Sequence, residues 1–417
     1  MLKILVNAYA LSPHTGSEPG MAWNWCLHLA QHCELHIITE GEFKEHIEKV
    51  LESIPQKNNM HFYYNPVSDN VRVMCWNQGD WRFYKHYKKW QYKTYKIAEQ
   101  ICHKEQIDIL HQLNMIGFRE PGYLWKIQGI PFVWGPIGGL KQFPVNYLND
   151  ANLKTEIFVR LKNIITVQQL KYDTRVNRAL KNASLLISSI PDSYDAIKKY
   201  KGLESVIIPE TGCFPTENHL NNRFDTNDLE VLWVGKFDFR KQLPLALKSI
   251  ATANNINLKL HIYGSGSTTQ VIQMKKLAHE IGIENQIIWH GNRNHTVVLK
   301  AMQRAHLFFF TSVSEDTSSV VMEALSNNLP VLCFDACGMA AVIDDKVGRK
   351  IPLTTPKKSE LQFAKHLNNL FEDKSLLQNL SANCVTRKKE LSWTLKAKHV
   401  FSLLEDITQK NNQLIKN

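Results

Sequence analysis

Two glutamates stand seven residues apart in the run Glu315-Asp316-Thr317-Ser318-Ser319-Val320-Val321-Met322-Glu323. An apolar run, Leu307–Phe310, precedes them, and a helical pattern, Val320–Asn327, follows. Backbone N–H groups at a helix start attract anions, so Ser318, Ser319 and Val320 suit a pyrophosphate. Glu323, one turn into the helix, suits ribose hydroxyls, and Glu315, in the loop, suits a sugar. Taken alone, such a pair is more often a solvated helix face, and its setting has to decide.

That setting is two series of strands alternating with helices. The first series comprises Lys3–Tyr9, Leu35–Thr39, His61–Tyr64, Ile107–His111, Phe132–Trp134 and Leu185–Ser188, with helical stretches such as Ala22–Gln31 and Asn152–Asn182 between them. A Pro/Gly cluster from Ile207 to Pro215 and a polar stretch to Asp228 interrupt the pattern, and 211–228 reads as a linker. The second series comprises Glu230–Gly235, Lys259–Tyr263, Gln286–Trp289, Leu307–Phe310 and Pro330–Phe334. Strand–helix alternation implies parallel sheets. The expected domains are therefore 1–210 and 229–391, with a helical tail, 392–417, returning to the first. Two such sheets facing each other leave a cleft beyond their strand ends, with one substrate per domain. At 417 residues the chain exceeds what one core supports.

The Glu315…Glu323 frame, continued by Ala324-Leu325 and Asn328-Leu329-Pro330-Val331-Leu332, resembles the E-x7-E signature of glycosyltransferase family four, retaining enzymes of the GT-B fold. The resemblance runs on in order. Val234-Gly235-Lys236-Phe237-Asp238-Phe239-Arg240-Lys241 is similar to the family's G-R-L-x-x-x-K segment, with lysine where arginine is usual. Leu260–Gly266 and Trp289-His290-Gly291 are similar to its glycine-bearing strand ends, and Gly338 and Val347–Pro352 to its downstream glycine segments. It implies donor contacts from Lys236, Arg240, Lys241, Gly264, Gly291, Glu315, Ser318, Ser319, Val320 and Glu323. Lysines and the helix end would neutralise the diphosphate, so no metal and no cofactor are expected. In the first domain, Gly16-Ser17-Glu18-Pro19-Gly20 resembles the family's glycine-rich loop, which places Gly16 near the donor. His111 matches a cleft histidine that touches the sugar or positions the acceptor, against the plainer reading of a core histidine. Asn114 and Arg119 follow on the acceptor side.

A net charge of +11 fits phosphorylated substrates, an anionic membrane or nucleic acid. Its main source is Trp81–Lys96. On a helix, Phe83, Tyr87, Trp90 and Thr94 share one face, and Arg82, Lys85, Lys89, Lys93 and Lys96 the other. Such a helix either rests on anionic lipid or packs its aromatics into the core. Phe158–Lys171 is amphipathic too. No nucleic-acid motif is found. The first ten residues read as a strand rather than a signal peptide, and no run is long enough to span a membrane. Eight scattered cysteines are expected to be reduced.

The reading is a cytoplasmic transferase, with peripheral attachment to the inner face of the membrane as an open alternative. It moves a hexose-type sugar from a UDP- or GDP-sugar to a saccharide or lipid-linked acceptor in surface polysaccharide or glycolipid assembly. The competing readings are a nucleotide-sugar epimerase or hydrolase, and a non-enzymatic basic binding protein.

Overall fold

In a computed structural model, residues 1–77, 80–148, 151–215, 223–224 and 226–416 are described. The first sheet is built from β1 (Lys3–Ala8), β2 (Glu34–Thr39), β3 (Met60–Tyr64), β4 (Ile109–Asn114), β5 (Phe132–Ile137), β6 (Ala183–Ser188) and β7 (Val206–Ile207). The second takes β8 (Leu229–Val234), β9 (Leu258–Tyr263), β10 (Ile287–Gly291), β11 (Leu307–Phe310), β12 (Val331–Phe334) and β13 (Gly348–Ile351). Their orders are β3-β2-β1-β4-β5-β6-β7 and β10-β9-β8-β11-β12-β13, and every pairing is parallel. Near-continuous runs such as LFFF in β11 are buried on both faces, as parallel strands covered by helices must be. β7 and β13 were absent from the expected strands. The first has only two residues and the second, GRKI, carries two charges.

The chain divides into two compact units, 1–140 with 165–210 and 393–417, and 141–164 with 211–392. In the first, the helix Trp393–Lys416 lays Trp393, Val400 and Leu404 into the core shared with the helix Ser17–Leu29. Residues 141–164, which the sequence reading kept with 1–210, group with the second unit because Tyr147 inserts there. Its hydroxyl lies 2.7 Å from Ser359 Oγ, and its ring packs edge-on against Phe334. The stretch Asn152–Asn182, expected as one helical segment, is two helices, Leu153–Tyr172 and Thr174–Asn182. The Asp173 side chain caps the second.

Part of the expected linker, 216–222 and 225, lies outside the described residues. Arg223, inside it, is not linker-like. Its buried guanidinium donates to the carbonyls of Met302, Ala305 and Asn327.

Candidate functional site

In both sheets the strand order reverses at the centre, between β1 and β4 and between β8 and β11. Ligands of open parallel sheets bind beyond the carboxyl ends at such points. In the second unit the segment after β8 brings Lys236, Arg240 and Lys241, and the segment after β11 brings Glu315 and the helix Ser319–Ser326.

The two segments are joined by an ion pair. Lys241 Nζ lies 2.6 Å from Glu315 Oε1, and the side chains are only 18% and 22% exposed. Ser312 Oγ donates to the same Glu315 oxygen at 3.1 Å, and the ammonium sits 5.2 Å from the centre of the Phe310 ring. The backbone that carries Lys241 is fixed as well. Thr311 Oγ1 donates to the carbonyls of Lys241 and Gln242, and Trp233 Nε1 donates to Thr311 Oγ1. Thus the end of β11 holds the cation that follows β8.

Ser318 caps the helix Ser319–Ser326 in extended conformation, and its side chain makes no hydrogen bond to the helix's first amides. The loop Glu315–Thr317 packs tightly on Gly338. A Cβ there would fall 2.2 Å from Thr317 Oγ1 and 2.6 Å from Thr317 Cα, so only glycine fits. Glu323 is largely buried, and burial holds its carboxyl above the usual range, opposed by His295. His295 Nε2 lies 3.1 Å from Glu323 Oε1. The sequence reading missed His295. Its only signal is its place at the start of the helix after the β10 glycine.

Three strand ends meet nearby. Gly235 N donates to Tyr263 O, and Gly264 N donates to Gly291 O at 2.9 Å. Gly264 has φ +134°, and a Cβ on it would lie 1.8 Å from Gly235 O. Gly291, at φ +70°, meets nothing. A cavity of about 400 Å³ opens there, lined by Gly235, Lys236, Gly264, Ser265, Asn292 and Arg293 among others. Among the described residues Lys236 makes no ion pair, so its ammonium is free at the cavity wall. Arg240 is not. Its guanidinium grips Asp238 through Nε at 3.0 Å and Nη2 at 2.6 Å, which leaves Nη1 for the expected diphosphate contact.

The first unit places the expected residues differently. His111 is fully buried, with Nε2 2.7 Å from Gly135 O and its ring edge-on to Trp25. Burial lowers its pKa to about 4, so the ring is neutral. In this structure His111 packs as a core histidine, the plainer of the two readings, and a contact to the sugar stays a proposal for the liganded protein. Asn114 is also fully buried and is bonded to the backbone of Ala10, which makes it a tie between β4 and β1 rather than an exposed acceptor contact. Arg119 is half-buried and donates to Thr166 Oγ1 at 2.6 Å. At Gly16 a Cβ would meet nothing within 4 Å, whereas at Gly20 it would lie 2.2 Å from Thr15 O. The loop's fold therefore needs Gly20, and the space beside Gly16 is open.

The helix Arg82–Lys104 settles its own question. Phe83, Tyr87 and Trp90 surround Tyr9 in a buried aromatic cluster, so these rings serve the core and not a lipid interface. Arg82, Lys85, Lys89, Lys93 and Lys96 face solvent. Among the described residues, no helix is long and apolar enough to cross a membrane, and none of the eight cysteines forms a disulfide.

Residues 216–387 match the family model described as glycosyl transferases group 1. An N-acetylgalactosamine-N,N'-diacetylbacillosaminyl-diphospho-undecaprenol 4-alpha-N-acetylgalactosaminyltransferase of Campylobacter jejuni is 28% identical over 164 residues. That match spans 39% of this chain and 42% of the relative, less than half of either. Anabaena Alr3699/HepE, solved in complex with UDP, superposes with a TM-score of 0.62 at 14% identity, over 97% of this chain and all of that one. The lipopolysaccharide outer core galactosyltransferase WaaB gives 0.61 at 15% identity, over 96% and 99%. The chain thus has the fold of the GT-B glycosyltransferases, two Rossmann-like α/β domains, and its second domain carries the group 1 match.

Proposed function

We propose that this chain is a retaining, metal-independent glycosyltransferase that moves a sugar from a UDP- or GDP-sugar to a hydroxyl acceptor. The observation that carries the reading is the Lys241–Glu315 pair joining the segments after β8 and β11, in the unit that also holds the helix start at Ser319 and the glycine-lined cavity. In this reading Glu323 accepts hydrogen bonds from the ribose. Lys236, Lys241 and the amides of Ser319 and Val320 take the diphosphate, and Glu315 holds the sugar. When donor binds, Lys241 turns part of its charge from Glu315 to phosphate. The acceptor oxygen bonds to the anomeric carbon on the face the nucleotide leaves. The carbon–oxygen bond to the β-phosphate breaks, and the acceptor's proton passes to the departing phosphate oxygen. Two ammonium groups and a helix end stabilise the charge that grows there, the role a metal ion plays elsewhere.

The acceptor in this proposal is lipid-linked, as the name of the Campylobacter relative states for that enzyme. Two surfaces support work at an anionic membrane. One is the lysine face of the helix Arg82–Lys104. The other is the helix Leu153–Tyr172, which exposes Ile157, Phe158, Leu161, Ile164 and Ile165 beside Lys154 and Lys162. Co-sedimentation with anionic but not neutral vesicles, reduced by Lys85→Glu with Lys89→Glu, is the expected result.

The direct test of the donor site is thermal unfolding with UDP, GDP and ADP, with EDTA throughout. A nucleotide at about 100 times its dissociation constant adds about 2.7 kcal/mol. Protection by one of them, lost in Glu323→Ala, supports the donor site and identifies its base. Protection by none removes the transferase reading and leaves a basic binding protein.

A further inference from the structure

The first sheet carries a second cluster of chemistry-bearing side chains at the end opposite Gly16 and Asn114. Glu34 opens β2 and His36 follows two residues later, so both leave the same face of the sheet. His61, on β3, is the direct partner of His36 in the parallel register. The Nε2 atoms of His36 and His61 lie 3.3 and 3.2 Å from one and the same oxygen, Glu34 Oε1. All three atoms fall within 4.8 Å of one another, and no other group of three among the described residues is so placed.

These spacings have a chemical meaning. Ligand atoms about 2.0–2.1 Å from a tetrahedral zinc ion stand about 3.3–3.4 Å apart along each edge. The two separations to Glu34 match that edge, and the third, within 4.8 Å, closes by rotation of the half-exposed His61 ring. The second sign is His36 itself. It is 2% exposed, and its Nε2, aimed at this group, makes no hydrogen bond. Its other nitrogen, Nδ1, lies 3.0 Å from the Tyr63 hydroxyl, two residues along β3 from His61. Tyr63 can donate to or accept from Nδ1, and the tautomer in which Nδ1–H donates to Tyr63 is the one that presents the Nε2 lone pair to a metal. A metal-binding histidine is usually fixed in this way by its outer partner. Lys3 lies 3.5 Å from Glu34 but has its own carboxylate, Glu105, at 2.8 Å, so Glu34 remains available. The Glu34 side chain is 24% exposed and that of His61 43%, which leaves room for water as the fourth ligand.

We propose that Glu34, His36 and His61 bind one divalent transition-metal ion, and two imidazoles with a carboxylate favour zinc. The ion sits at the amino ends of the strands, remote from the carboxyl ends where ligands enter this sheet. It therefore clasps β3, the edge strand, to β2 and takes no part in transfer.

The test uses the full-length protein, stripped with chelator and dialysed. Zinc is expected to bind at one equivalent per chain and to raise Tm, magnesium is expected to leave Tm unchanged, and cobalt(II) is expected to give the intense visible absorption of a four-coordinate site. His61→Gln and Glu34→Gln should each weaken zinc binding at least tenfold and lose the cobalt spectrum. His279→Gln, at an exposed histidine paired with Glu284, should change neither. Absence of stoichiometric binding to the unmodified chain, binding untouched by His61→Gln, or an equal response to magnesium would each overturn the assignment.

Discussion

The two sheets reverse at the same kind of point, but the side chains at their strand ends are used differently. In the first, polar groups on β1 and β4 turn inward. Asn7 donates to Gln91 and Gln112, Asn114 bonds Ala10, and His111 bonds Gly135, all at or near zero exposure. In the second, charges at the equivalent edge remain partly open and mutually balanced: Lys241 with Glu315, Glu323 with His295, and Lys236 on a cavity wall. A shared topology offers a site in both places. The second edge gathers the lysines that a diphosphate and a departing nucleotide need.

The contrast is broken most severely at Gly264. Its φ of +134° and a Cβ only 1.8 Å from Gly235 O leave no room for alanine. Gly264→Ala should cost about 3 kcal/mol or more, which lowers Tm by several degrees and abolishes nucleotide protection. Next comes Lys241→Met, which removes a cation from the charge that develops on the phosphate and leaves Glu315 unbalanced. A fall in kcat/KM on the order of 10²–10³-fold is expected, with Tm little changed. A fall below tenfold would move the diphosphate away from Lys241.

Glu323 and His111 sharpen the comparison through pH. Burial raises the Glu323 pKa, so its carboxylate begins to protonate at a higher pH than an exposed glutamate. Nucleotide protection should therefore weaken on mild acidification, and Glu323→Gln should flatten that profile. His111 acts on folding. Its native pKa of about 4 lies below its ordinary 6.5, so the unfolded chain takes up a proton that the native state refuses. Its contribution is complete above pH 6.5 and is lost as pH falls toward 4, up to about 3 kcal/mol. A Tm-against-pH series should show a shallower acid limb for His111→Gln. A limb of unchanged slope would contradict the buried, neutral ring.

Strand–helix alternation made most strands legible, because apolar runs bounded by glycine and proline leave few alternatives. Two-residue β7 and charged β13 escaped because pairing geometry, rather than hydrophobicity, defines them. At the site, the spacing of Glu315 from Glu323 and the lysines after β8 were visible as pattern. Whether a residue faced ligand or core was not. The sequence places His111 at the end of a strand, but β4 runs Ile109–Asn114, so His111 lies inside it against Trp25, and Asn114, its last residue, is bonded to Ala10. The Arg240 fork on Asp238 likewise depends on how the loop folds. Arg240→Ala should accordingly lower kcat/KM by less than about fivefold, since a partly exposed pair contributes little.

The smallest effect on folding is expected at Gly16, and it is the most informative about the first unit. Gly16 has φ −74°, which any residue adopts, and an added Cβ meets no atom within 4 Å. Gly16→Ala should leave the unfolding free energy within about 0.5 kcal/mol of the parent, as for surface changes away from special features. Gly20→Ala, whose Cβ would strike Thr15 O, should not. With folding held constant, kcat/KM then reports only on the open space beside Gly16. A drop of tenfold or more would mean that substrate occupies this space, so that the first unit contributes backbone where its polar side chains are buried. Unchanged kinetics would remove Gly16 from the donor contacts and leave the second unit to bind the nucleotide-sugar by itself.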